Sequence, residues 1–246
     1  MELATYIALS RLVAQGREMD VTAMNLANAS TPGFKAERVL FSDWLDRQAG
    51  SKTPPGGRTL TFTQDRATYR DHEQGALQHT GNPFDLAIGG NGWFTVQTPR
   101  GPRLTRAGRF SPSADGTVRD LDGDALLDTN GQPIKLAPTD VGIHVAGDGT
   151  ISSVNGQIAK IGIVAPNDPN RMTAEGGLLY RADVNTSPVA APRITQGALE
   201  ESNVEPILET TKMMNELRQF QFVTQFVQAE SDRQQNAIDK ITQQQS

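Results

Sequence analysis

The sequence predicts an α+β protein in which long N- and C-terminal helices, packed as a coiled-coil-like pair, flank a central antiparallel β domain. Three observations carry this. Near both ends, apolar or small residues recur at alternating spacings of three and four. Through the middle, short β-branched and aromatic runs of roughly ten-residue spacing are separated by Asn-Gly and Asp-Gly turns. No helical pattern interrupts those runs, which argues against a parallel α/β sheet.

The N-terminal stripe is Leu9, Leu12, Gly16, Met19, Ala23 and Leu26. The C-terminal stripe is Met213, Leu217, Phe220, Val227, Ile238 and Ile241, with Thr224, Ser231 and Gln234 completing the spacing. So narrow a stripe is a seam for another helix rather than the wider face of a helix on a globular core. The two seams could pack on each other within one subunit or against neighbouring subunits. Gln219, Gln221, Gln225, Gln228, Gln234 and Gln235 leave little apolar area. At ~25 cal/mol per Å² an isolated pair would barely offset its ordering entropy. Completion by neighbours is therefore expected, with termini that order on assembly.

The first helix is expected to stop near Asn28. Thr31-Pro32-Gly33-Phe34 then has the signature of a type II turn, since Pro pre-sets φ at its second position and Gly supplies positive φ at its third. Phe34 to Gln48 reads as a short helix or a strand, Gly50 to Arg58 as a flexible connector, and Thr59 to Tyr69 as extended. Expected strands in the β region include Phe84 to Ile88, joined through Gly89-Gly90-Asn91-Gly92 to Trp93 to Gln97 as a hairpin. Leu104 to Phe110 and an uninterrupted Ile158 to Val164 are further strands, in a meander, sandwich or irregular barrel. Ser202 with Glu205 fits a capping box, and Pro206 suits a first helical turn. The expected organisation is a terminal helical domain of residues 1–30 and 203–246, a turn and extended connector of residues 31–74, and a β-rich domain of residues 75–202.

Composition narrows function. An apolar fraction of 37% over 246 residues argues against one large core. With 23 basic and 28 acidic residues the net charge is −5, which gives no basic patch and argues against nucleic acid as a partner. The absence of cysteine excludes disulfides, thiolate catalysis and Cys-ligated zinc. No Sec-type leader is legible, and no stretch reaches the ~20 apolar residues of a membrane span, so no membrane insertion is expected.

Chemistry-bearing motifs are sparse. His72, His79 and His144 accompany no G-x-S-x-G and no zinc-ligand spacing. Asp120-x-Asp122-x-Asp124 has Ala125 and Gly131 where a calcium loop needs Gly and Glu, and reads as an Asp-rich turn bonding its own backbone. Gly89, Gly90 and Gly92 open no helix, so they make no phosphate cradle. Asp65, Asp71, Glu73 and Asp85 offer no carboxylate pair of distinctive spacing for a glycan hydrolase. No catalytic residue, metal or cofactor is expected.

Three motifs carry a family resemblance. Asn25-Leu-Ala-Asn-Ala-Ser-Thr-Pro-Gly-Phe-Lys35 resembles the N-terminal signature of bacterial flagellar rod and hook proteins, with Asn25, Asn28, Thr31, Pro32, Gly33 and Phe34 as its turn. Asn82-Pro-Phe-Asp-Leu-Ala-Ile-Gly-Gly-Asn-Gly-Trp-Phe-Thr-Val96, with Leu104-Thr-Arg-Ala-Gly-Arg-Phe110, looks like the opening of that family's β domain. Gly197-Ala-Leu-Glu-Glu-Ser-Asn-Val204 is similar to its lead-in to the C-terminal helix. The resemblance implies a non-enzymatic building block of the basal-body rod. It implies terminal helices that pack with copies of the chain and with other rod proteins. Passage through the flagellar type III export apparatus without a cleaved leader, and a final place in the rod across the periplasm, are also implied. The short connector GSKTPPGGR favours a proximal over a distal rod subunit. The alternative from another class is a secreted β-rich binding module with helical arms.

Overall fold

A computed structural model describes residues 2–47, 59–176 and 178–243. The expected connector at Gly50 to Arg58 lies outside the described residues. The fold is α+β, with a helix at each end and an antiparallel β-rich centre. The chain forms two compact units. One is Met1–Ala27, Glu37–Tyr69 and Glu205–Ser246; the other is Asn28–Ala36 and Arg70–Val204.

The first unit holds helix α1 (Glu2–Ala27), helix α2 (Pro206–Gln243), and a ribbon of strands β1 (Glu37–Arg47) and β2 (Thr59–Arg70). The segment after Phe34 that read as helix or strand is therefore a strand. At 26 and 38 residues the helices are about 39 and 57 Å long. They run antiparallel: Gln15 of α1 meets Gln219 of α2, while Thr22, further along α1, meets Glu216, earlier on α2. Asn25, 1% exposed, ties the last turn of α1 to the start of β1. Its Nδ2 donates to the Glu37 carbonyl and its Oδ1 accepts from the Glu37 N–H, each at 2.8 Å. The capping box does not form. Ser202 Oγ accepts from the Val204 N–H, and the first helical bond runs from the Glu209 N–H to the Glu205 carbonyl. Pro206 brings the start of α2 past the reach of Ser202.

The second unit is built around the strand Trp93–Thr98. It pairs antiparallel with Gly101–Thr105 on one side, and on the other with Ile163–Pro166 and Ala125–Leu126. Its core gathers Ile88, Phe94, Val96, Phe110, Leu126, Ile134 and Ile161, each 2% exposed or less. Turn chemistry closes the hairpins. Asp120 Oδ1 accepts from the N–H groups of Asp122 and Asp124, the self-bonded Asp-rich turn expected from sequence.

Three expected strands differ. Leu86–Gly89 and Trp93–Thr98 form no hairpin with each other; the former pairs with Arg193–Gln196, more than a hundred residues away. Side chains take the hydrogen bonds a return strand would need. Gln74 bonds the Ile88 carbonyl and the Gly90 N–H at 3.0 and 2.9 Å, and Arg106 Nη2 bonds the Gly90 carbonyl at 2.7 Å. The strand expected from Leu104 to Phe110 ends at Thr105, where Arg106 turns into that bonding. The strand expected from Ile158 to Val164 breaks into Gly156–Lys160 and Ile163–Pro166, in different sheets. The break is at Gly162, where a Cβ would lie 2.5 Å from the Asp128 carbonyl oxygen, so only glycine lets the chain cross.

Candidate functional site

Two features stand out: a buried cluster in the β-rich unit where the three sequence motifs converge, and the faces of the terminal helices.

The cluster begins at the turn after α1. The Phe34 N–H donates to the Thr31 carbonyl at 3.2 Å, with Pro32 and Gly33 between and Gly33 at φ +75°, which completes the expected type II turn. Asn28 supports it by accepting from the Thr31 hydroxyl and N–H. Gly33 has a second reason to be glycine. A Cβ there would sit 2.5 Å from the Ala107 backbone nitrogen, while its own N–H donates to the Glu200 carbonyl at 2.7 Å. Phe34 is buried with Ala36 and Val204, under the Arg70 guanidinium.

Lys35 is fully buried, and its Nζ donates to Glu200 Oε1 and the Glu73 carbonyl, both at 2.6 Å. The other Glu200 oxygen, Oε2, accepts from Arg106 Nη1 at 2.9 Å. Arg106 in turn stacks over Trp93. One carboxylate thus serves two cations, each from a different motif. Burial pushes the Lys35 ammonium below its usual pKa, and Glu200 opposes that fall. Asn203 completes the junction, accepting from the Ala36 N–H at 2.7 Å and donating to the Asp71 and Glu73 carbonyls. The arrangement has no exposed nucleophile or paired acid and base; it holds chain segments together. Lys35, Arg106, Glu200 and Asn203 were not singled out by sequence. Each lies inside one of the three motifs or at its edge, but nothing in the local pattern sets it apart: Arg106 follows Thr105 and shares its segment with Arg109, and Glu200 is followed by Glu201.

On α1 the buried face is Ala8, Ala14, Gln15, Val21, Thr22 and Asn25. The sequence stripe lies to one side of it. Leu9 is 52% exposed, Ala23 is exposed, and Leu12, Gly16, Met19 and Leu26 are half-buried. On α2 the buried positions are Glu209, Glu216 and Val223, flanked by half-buried Met213, Phe220 and Val227 from the stripe. Leu217 points away at 44% exposed. The side chains of Ile238 and Ile241 lie outside the described residues. Val13, Phe222 and Phe226 add exposed apolar surface.

His72 sits edge-on to Trp93, and burial lowers its pKa, while His79 and His144 are exposed. Among the described residues no group of three or more potential ligands could hold a metal.

Comparison with known proteins gives one answer from three parts of the chain. Residues 6–35 match the family described as flagella basal body rod protein, residues 87–153 the flagellar hook protein FlgE/F/G D1 domain, and residues 195–240 the flagellar basal body rod FlgEFG protein C-terminal region. The flagellar basal-body rod protein FlgF of Caulobacter vibrioides is 35% identical over 98% of both chains. That of Mesorhizobium japonicum is 35% identical over 90% of both. The flagellar basal-body rod protein FlgG of Bacillus subtilis is 31% identical over 88% of this chain and 90% of its own. With matches in family order and relatives aligned nearly end to end, the chain belongs to the bacterial flagellar basal-body rod protein family and is FlgF-like.

Proposed function

We propose that this chain is a structural, non-enzymatic subunit of the proximal flagellar rod, assembling with copies of itself and with other rod proteins into the axial shaft that serves motility. End-to-end similarity to proteins named FlgF supports the rod assignment. The observation that carries assembly through the helices is the apolar surface left outside the α1–α2 seam: Leu9 and Val13 on α1, Leu217, Phe222 and Phe226 on α2. Exposed apolar stripes of this kind mark interaction surfaces. The sequence stripes Leu9, Leu12, Gly16, Met19, Ala23 and Leu26, and Met213, Leu217, Phe220 and Val227, are the proposed subunit-packing positions, in coiled-coil-like contacts. Export by the type III apparatus without a cleaved leader, and residence in the periplasmic rod, follow from this reading. No described helix is long and apolar enough to cross a membrane. A net charge of −5 disfavours nucleic acid as a partner.

Deletion of residues 207–246 tests it. The truncated chain, supplied to a strain lacking its own FlgF, should fail to restore rod assembly and swimming; a functional rod would overturn the packing role of α2. The similarity to FlgG favours one second reading, a distal subunit. Restoration by the full chain of a FlgG-deficient strain, and not a FlgF-deficient one, would establish it.

A further inference from the structure

The buried face of α2 carries carboxylates where a helix pair ordinarily carries leucine, and Glu216 among them lies in the seam with α1. Glu209 and Glu216, one heptad apart on α2, are 3% and 5% exposed. Glu216 Oε1 accepts from the Thr22 hydroxyl at 3.1 Å and lies 3.5 Å from Lys212 Nζ. Its Oε2 is buried with no donor. Lys212 is divided, because its ammonium also lies 3.2 Å from Glu18 Oε1 on α1. One cation therefore answers two carboxylates that face each other across the seam. Glu209 is served on one oxygen only, by Arg38 Nη1 of β1 at 2.9 Å. Gln15 Oε1, deeper in the same seam, is also buried without a donor.

We propose that this seam is a proton-responsive clasp, held tightest when the Glu216 carboxyl is protonated and loosened when it ionises. Removing the charge lowers the desolvation cost of a buried carboxylate that has no donor on one oxygen, and leaves Lys212 wholly to Glu18. Burial raises the Glu216 pKa above its usual value, with Glu18 adding to the rise and Lys212 and Thr22 opposing it. The folded-state value thus lies above the unfolded one. Its contribution is fully present below the unfolded value and is lost as pH rises through the folded value. Helix pairing should loosen from mildly acidic towards neutral pH. In a rod subunit this would free the inner helix faces for neighbours; that consequence rests on the rod reading, whereas the clasp does not.

The test is hydrogen exchange on the full chain at concentrations where it is monomeric, from pH 4.5 to 8, corrected for intrinsic exchange. Protection of α1 and of residues 209–227 should fall roughly tenfold across that range while the β-rich unit stays unchanged. Glu216→Gln should hold α1 and α2 at the acid-side level throughout, and Glu216→Leu should do the same if the glutamine variant fails to fold. Unchanged wild-type protection would overturn the clasp, as would an equal decline in both variants. So would a carboxyl-carbon titration placing Glu216 at or below the ordinary glutamate value. Neither the measurement nor its outcomes involve motility, so the clasp can fail while the rod reading stands, and the reverse.

Discussion

Lys35 and Glu200, 165 positions apart in sequence, meet as a buried ion pair at 2.6 Å, and each side chain is 1% exposed. The pair joins the first family motif to the third, and Arg106 brings in the second through the other Glu200 oxygen. The three motifs are thus fastened to one another inside the β-rich unit.

Breaking the fastener on one side should be severe. Glu200→Gln keeps the shape but leaves Lys35 and Arg106 without a counter-charge, and should destabilise the β-rich unit by about 3–5 kcal/mol. Urea unfolding followed through Trp93 fluorescence would measure it. Replacing all three charges with apolar side chains, as Lys35→Met, Arg106→Leu and Glu200→Leu, should recover most of the loss. If the triple variant is no more stable than Glu200→Gln, the loss does not come from uncompensated charge.

Core and surface phenylalanines should separate folding from assembly. Phe94 is fully buried, edge-on to Phe110, and Phe94→Ala should cost about 3–5 kcal/mol in monomer stability. Phe222 is 73% exposed, and Phe222→Ser should change monomer stability by no more than about 0.5 kcal/mol. The same surface variant should nevertheless impair rod assembly in a motility plate. Normal swimming by Phe222→Ser would remove that face from the packing surface.

A turn carboxylate should report its own hydrogen bonds. Asp115 accepts from the Thr117 N–H and hydroxyl and from Arg119, and these hold its pKa at about 2. A depressed carboxylate contributes stability above its unfolded value, and that contribution is lost as pH falls through about 2. Carboxyl-carbon NMR should therefore show Asp115 titrating well below the ordinary aspartate range. Thr117→Val, which removes the hydroxyl donor, should move it back upwards.

What was legible in sequence was local. The Pro32-Gly33 turn, the Asp120 turn and both helix ends follow from residues within a few positions of one another. Strand pairing was not local. Nothing near Leu86–Gly89 points to Arg193–Gln196 as its partner, and the glycines after it suggested a hairpin because the bonding by Gln74 and Arg106 comes from elsewhere. The inner faces of the helices were hidden for a different reason. Apolar periodicity chose Leu217, whereas the inner face of α2 turns on Glu209 and Glu216, whose burial depends on Arg38, Thr22 and Lys212. Convergence of Lys35, Arg106 and Glu200 was invisible because each charge is ordinary in its own segment.

The paired hydrogen bonds of Asn25 to Glu37 close a ring across twelve positions, with the signature turn inside it. Closing a flexible loop of that size costs about 2 kcal/mol of chain entropy beyond a constant term. Secreted proteins often lock such rings with sulfur, but this chain has no cysteine. A ring shut by amides can be opened by stretching the chain and shut again without any redox partner. That makes it a reversible lock, compatible with the export route proposed above.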